Sequence, residues 1–188
     1  MNTIPQLQGY DGPVERMGGL TNVVHRVGEY CLRVPGEGTE EYIDRKAEAV
    51  AAKHPAALVI ASDQVAVLGN EVLGKPLNHE NAMQQLTELS GQKVSFLTSL
   101  CLLNSQTKST QTLVEPFTVQ FRGLTIAEIE GYLHKEQPYN CAGSFKSEGL
   151  GITLFEKLTG DDPNTLIGLP LIKLSEILRK EGVIFYQP

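Results

Sequence analysis

The sequence is short of several things, and each shortage excludes a class of protein. No apolar run approaches the ~20 residues a membrane helix requires, and the opening MNTIPQLQGYDG lacks the basic-then-apolar pattern of a secretory signal. The expected location is therefore the cytoplasm, with no membrane partner. Cysteine is scarce: Cys31, Cys101 and Cys141 are odd in number and form no CxxC pair, which points to reduced thiols rather than a disulfide framework. The four histidines are scattered without zinc-site spacing. Basic charge is in deficit, with 16 Lys and Arg against 22 Asp and Glu, a net charge of −6 and a pI near 5.2. That balance argues against a general nucleic-acid or anionic-membrane binder, though a few local lysines can still hold a small phosphorylated ligand. No glycine-rich run ends in Gly-Lys-Ser or Gly-Lys-Thr, so there is no Walker A loop.

What is present is the composition of a globular domain. The 188 residues, 41% hydrophobic and 20% charged, suit one ordinary domain or two small lobes with a real core. Residues 1–38 are glycine-rich, with one short apolar patch at Val23-Val24. From Thr39 the periodicities sharpen. TEEYIDRKAEAVAAKH reads as a helix capped by Thr39, with Tyr42, Ile43, Ala47 and Val50 on one face. ALVIASDQVAVL, 57–68, reads as a strand buried on both faces. Asn78 caps a second helix running to about Leu89, with Gly91 as its stop. KVSFLTSLCLLN and TQTLVEPFTVQF alternate as two strands joined by a polar turn, and Pro116 makes the second an edge or bulged strand. Thr125-Ile-Ala-Glu128 is a capping box opening the helix IAEIEGYLHKE. A strand near ITLFEKL, a turn at GDDPN and a helix from Pro170 complete the chain, with Gly182 as a stop. Interleaved strands and helices with a hairpin predict an α/β fold built on a mixed sheet.

Three places carry residues suited to chemistry. Ser62, Asp63 and Gln64 interrupt an apolar strand, where a carboxylate loses hydration that a metal, a cation or hydrogen bonds must replace. Taken alone, Asp63 also fits a strand-end polar residue paired with a core arginine. Gly74-Lys75-Pro76 fixes a lysine seven residues beyond the strand, close to the carboxyl end where ligands of open α/β sheets bind; an ordinary solvated turn lysine is the competing reading. Cys141-Ala-Gly-Ser-Phe-Lys-Ser-Glu-Gly149 surrounds Phe145, Lys146 and Glu148 with small residues, as ligand-holding loops often do and as plain surface loops do equally. Lys46, on the first helix, reads most simply as solvated, and Cys141 has no histidine nearby in sequence to activate it.

Together, SDQVAVL, GKPLNHENAMQQLTELSG, EIEGYL and CAGSFKSEGLGITLFEKLTGDDPNTLIGLPLIKL resemble the Maf family of nucleotide pyrophosphatases. The resemblance runs in order from Thr39 to Gly182, leaving 1–38 as a divergent segment of one Maf-like domain. It implies a mixed, twisted sheet with flanking helices in two lobes around a cleft. It implies hydrolysis of a nucleoside triphosphate to the monophosphate and pyrophosphate, assisted by Mg or Mn, and possible homodimers. Asp-Gln after the strand and Ser-Phe-Lys-Ser-Glu in the loop resemble the branch acting on 7-methyl-GTP. By that resemblance Asp63 is the proton acceptor that activates water, or a metal ligand doing so indirectly. Gln64 and Glu148 then select the base, and Lys75 and Lys46 lie near the phosphates. A carboxylate such as Glu148 would favour the cation created by N7 methylation. Phe145 is either ordinary loop packing or a stacking ring.

One end departs from the family pattern. Its members begin with an apolar strand running into Ser-x-Ser-x-Arg-Arg, a phosphate grip of hydroxyls and arginine forks. Here residues 1–38 contain no serine, and Arg16 and Arg26 stand singly. Three readings therefore stay open: an active 7-methyl-GTP pyrophosphatase, a catalytically impaired nucleotide-binding or regulatory protein, and a defective product.

Overall fold

The computed structural model describes residues 22–25 and 39–186. Arg16, Arg26, Cys31 and the rest of residues 1–38 apart from Asn22–His25 fall outside the described residues. Six strands form one mixed sheet: β1 (Asn22–His25), β2 (Ala57–Leu68), β3 (Glu71–Leu73), β4 (Lys93–Asn104), β5 (Ser109–Phe121) and β6 (Phe155–Thr159). Their order is β1-β2-β4-β5-β6, with β3 paired to β2. β1 runs parallel to β2, with Val23 opposite Leu58, whereas β3 on β2 and β6 on β5 are antiparallel. The α/β class and the mixed sheet are as the sequence predicts. No helix among the described residues is long and apolar enough to cross a membrane.

The chain divides into two compact units. The first comprises 1–63, 99–114 and 169–188. In it, β2 is covered on both faces, which is why its first half is an unbroken apolar run. Ala57, Val59 and Ala61 pack with Ile43, Ala47 and Val50 of helix α1 (Thr39–Ala51). Leu58 and Ile60, pointing the other way, pack with Leu174, Ile177 and Leu178 of helix α5 (Leu171–Lys180). Thr39 is the first residue of α1 rather than its cap. Two polar contacts tie the layers: Thr112 donates to Asp44, and Asn104 Nδ2 donates to Glu181 at 2.8 Å.

The second unit comprises 64–98 and 115–168. Its core joins Ala82, Leu86 and Leu89 of helix α2 (His79–Leu89) to Ile129, Tyr132 and Leu133 of helix α3 (Ile126–Glu136) and to Phe96, Phe117 and Phe121. Both helix starts follow the sequence expectation. Asn78 accepts from the Asn81 amide at 2.8 Å. Thr125 and Glu128 form the reciprocal capping box, and those hydrogen bonds, with Arg122, hold the Glu128 carboxyl down at about 2.

Three details differ from expectation. Residues Leu150–Leu154 form a 3-10 turn, not strand, and β6 begins only at Phe155. The Gly151 amide there turns back onto the Lys146 carbonyl at 3.1 Å while Leu154 enters the core, which an extended chain could not do. β5 lies inside the strand order, yet β6 covers it only from Thr118 to Phe121. Pro116 lies before the part of β5 that pairs with β6, and the register shift between Gln120 and Phe121 gives β5 the irregularity that is the other expectation. After the GDDPN turn a single helical turn, α4 (Asn164–Ile167), starts with the Asn164 amide donating to the Asp162 carboxylate at 2.8 Å.

Two glycines should respond oppositely to the same substitution. A Cβ at Gly160 would lie 2.2 Å from the Phe117 ring, while one at Gly131, inside α3, would meet nothing within 4 Å. Gly160→Ala should destabilise by ~1–3 kcal/mol through overpacking, and Gly131→Ala should stabilise by up to ~1 kcal/mol through helix propensity. Urea unfolding of both variants beside the parent checks the signs.

Candidate functional site

Burial along β2 changes at the polar triplet. Ala57 to Ala61 are all buried, whereas Ser62 to Val65 are half-buried. Asp63 therefore stands where the strand emerges from its double cover. Its main chain is held firmly within the first unit. Ser62 Oγ donates to the Ser99 carbonyl at 2.8 Å, and Ser99 Oγ donates back to the Asp63 carbonyl at 3.1 Å. Lys46 is not simply solvated: its ammonium donates to the Ser62 carbonyl at 3.1 Å and lies over the Tyr42 ring, 5.5 Å from its centroid. Lys46 and Asp63 are thus brought to one place by the carbonyl between them.

In the second unit, Gln64 and Glu148 line one cavity of about 190 Å³ with Phe96, Phe145, Cys141 and Leu166. The orientation of the Gln64 amide is forced. Its Nε2 donates to Thr98 Oγ1 at 2.8 Å, to the Thr165 carbonyl at 2.7 Å and, more weakly, to the Leu166 carbonyl at 3.3 Å. Carbonyl oxygens only accept, so nitrogen must face them. Oε1 is then the end left for the cavity. Glu148 is exposed, and its carboxylate accepts from Ser147 Oγ at 3.3 Å. The two polar groups that sequence reasoning placed at the base are therefore both acceptors on one pocket.

Phe145 is core packing. It is 5% exposed and meets Phe96, Phe121 and Phe155 edge-to-face at 4.9–5.6 Å, so it forms a wall of the cavity and not a free stacking plate.

Lys75 is exposed on a braced turn. Pro76 beside it is buried, the Asn81 side chain donates to the Pro76 carbonyl at 2.9 Å, and the Leu77 amide donates to the Tyr139 carbonyl at 2.9 Å. The same turn lies near the pocket. Burial raises the Cys141 thiol above its ordinary pKa; the charge of Lys146 opposes this, that of Glu148 adds to it, and that of Lys75 opposes it again. Cys141 thus lies within electrostatic reach of Lys75, Lys146 and Glu148.

The loop 141–151 is fastened to the end of α3. The Lys146 amide donates to the Tyr132 hydroxyl at 3.0 Å, Lys146 Nζ donates to the Glu136 carbonyl at 3.0 Å, and the Leu150 amide donates to Glu136 Oε1 at 3.1 Å. A Cβ at Gly151 would come within 2.2 Å of the Lys146 carbonyl oxygen, so only glycine fits there. Sequence reasoning missed these supports. Thr98-Ser99, two hydroxyls inside an apolar strand, carried a usable signal; Glu136, one of several charged residues on an amphipathic helix, carried none.

Among the described residues, no group of three or more His, Cys, Asp or Glu side chains could hold a metal ion. A larger cavity, about 350 Å³, lies against Arg122, Lys135 and Leu150 and contains none of the predicted site residues.

The family match begins earlier in the chain than the resemblance read from Thr39 onward. The family described as Maf-like protein matches residues 22–181. A protein of Nitrosococcus oceani named 7-methyl-GTP pyrophosphatase is 58% identical over 153 residues, covering 79% of this chain and 77% of its own length. Proteins with the same name from Alcanivorax borkumensis and Colwellia psychrerythraea are 62% and 59% identical over 138 residues, each covering 73% of this chain and 70% and 69% of their own lengths.

The thiol environments give a direct chemical check. Burial pushes Cys101 up to about 12 and raises Cys141 above the ordinary thiol value. Since the thiolate is the nucleophile, both should alkylate with iodoacetamide at pH 7.5 more slowly than in the urea-unfolded chain. Cys141 should speed up as pH rises past 9 while Cys101 stays inert until unfolding. Peptide-resolved mass spectrometry reads each site separately.

Proposed function

Because the chain belongs to the Maf family, we propose that it hydrolyses 7-methyl-GTP to 7-methyl-GMP and pyrophosphate. The observation that carries the substrate is the pocket of acceptors. Guanine presents N1–H and N2–H₂ donors on its pairing edge, and Gln64 Oε1 and the Glu148 carboxylate are suited to receive them. Methylation at N7 makes the base cationic, and the Glu148 charge favours that form over unmethylated GTP. The names of the relatives point to the same substrate.

Asp63 is the proposed proton acceptor. Half-buried at the end of the apolar run, it takes a proton from the water that attacks the α-phosphorus as the bond to the bridging α–β oxygen breaks and pyrophosphate leaves. Lys75 and Lys46 offset the charge on the phosphates. The family implies a divalent metal. Asp63 offers one carboxylate, which fits Mg²⁺ held by one or two carboxylates and otherwise by substrate phosphates. Such an ion would neutralise phosphate charge; the protein residues orient base and water.

A second reading has its own observation: residues 1–38 hold no Ser-x-Ser-x-Arg-Arg. Without that grip the chain would bind the nucleotide without cleaving it.

Pyrophosphate release from 7-methyl-GTP, run beside GTP, dTTP and UTP with Mg²⁺ or Mn²⁺, separates the two. The enzyme reading expects selective release from 7-methyl-GTP; no release from any of them by a folded chain favours the binding reading. Asp63→Asn should lower kcat by ~10²–10⁴-fold, the usual worth of a general base, with unchanged unfolding behaviour. Glu148→Gln should reduce the preference for 7-methyl-GTP over GTP by about tenfold or more, the worth of a hydrogen bond to a charged group, and leave kcat on GTP nearly constant. Unchanged preference would remove Glu148 from base selection.

A further inference from the structure

Gln85, on α2, is not among the residues that line the pocket, yet its amide joins the segment carrying Lys75 to the one carrying part of that lining. Its Nε2 donates to the Gly74 carbonyl at 3.2 Å, immediately before Lys75. Its Oε1 accepts from Ser144 Oγ at 2.5 Å, immediately before Phe145-Lys146-Ser147-Glu148. One amide thus uses its donor end on the lysine turn and its acceptor end on the base loop.

Both segments need such a hold. Ser144 has φ +59° and is fully buried, and Leu77, two residues past Lys75, has φ +68°. Non-glycine residues keep such a backbone only where surrounding contacts over-determine it. Asn81 and Tyr139 fix the far side of the lysine turn, and Tyr132 and Glu136 fix the far side of the base loop. Gln85 is the side chain among these contacts that reaches both, beside the Leu77 amide that meets the Tyr139 carbonyl just before the loop.

We infer that Gln85 is a positioning residue that sets the Lys75 turn and the base-selecting loop relative to each other, so that one nucleotide can meet Glu148 and Lys75 together. The inference rests on the pyrophosphatase reading for its kinetic consequence, but not for its structural one.

Two mild variants divide the amide's two jobs. Gln85→Glu keeps an acceptor for Ser144 and loses the donor to Gly74. Ser144→Ala does the reverse. Amide hydrogen exchange on the ligand-free chain should quicken in 74–77 only for Gln85→Glu, and in 141–148 only for Ser144→Ala. With substrate, Gln85→Glu should lower kcat for 7-methyl-GTP by about tenfold, the scale of one net hydrogen bond, with its preference over GTP unchanged. Ser144→Ala should lower that preference by a similar factor. Exchange that is unchanged, or that rises equally in both segments for both variants, would overturn the brace. The expected exchange pattern in a chain that cleaves no nucleotide would overturn the pyrophosphatase reading and leave the brace standing.

Discussion

The base pocket depends on one amide nitrogen facing two main-chain carbonyls. Gln64 Nε2 is held by the carbonyls of Thr165 and Leu166 and by the Thr98 hydroxyl, which itself donates to the Thr165 carbonyl at 2.9 Å. A carboxylate in the same position would set oxygen against oxygen, and an apolar side chain would strand those acceptors at a cost of about 1–3 kcal/mol each if they stayed dry. Glutamine is the residue that satisfies the wall and still offers an oxygen to the cavity. The acceptor character proposed for the pocket follows from that orientation, and the proposed preference for a donor-bearing, cationic base follows from the acceptors.

The first unit solves a different problem. Its strand must hold a carboxylate near water while its other half is covered on both sides by α1 and α5. The transition is made within one residue, from buried Ala61 to half-buried Ser62. The Ser62 hydroxyl on the Ser99 carbonyl, the Ser99 hydroxyl on the Asp63 carbonyl and the Lys46 ammonium on the Ser62 carbonyl satisfy polar groups at this change. The sequence interruption that raises the question of Asp63 is thus matched, group for group, by polar residues on neighbouring elements.

Much of this was legible because it is local. Capping residues, strand alternation and the apolar faces of α1, α2 and α3 depend on nearest neighbours along the chain, and Asn78, Thr125 and Ala82 stand where their periodicity puts them. The roles of Glu148 and Lys75 were reached only through family resemblance, since their residues alone left the loop equally a ligand-holding or a plain surface loop and Lys75 most simply a solvated turn lysine. What stayed hidden is long-range: Gln85 to Ser144 spans 59 positions and Gln64 to Thr165 spans 101. Leu150–Leu154 misled for a related reason. Its branched residues favour strand, and the 3-10 turn is imposed by the tertiary contacts of Gly151 and Leu154.

The most direct test of the acceptor pocket needs no turnover. Calorimetric titration of the unmodified chain with 7-methyl-GMP and with GMP isolates base recognition from phosphate chemistry and from the divergent segment. The account predicts clearly tighter binding of 7-methyl-GMP, with the difference shrinking as salt screens the exposed Glu148 charge. Equal affinity for the two monophosphates at low salt would contradict it.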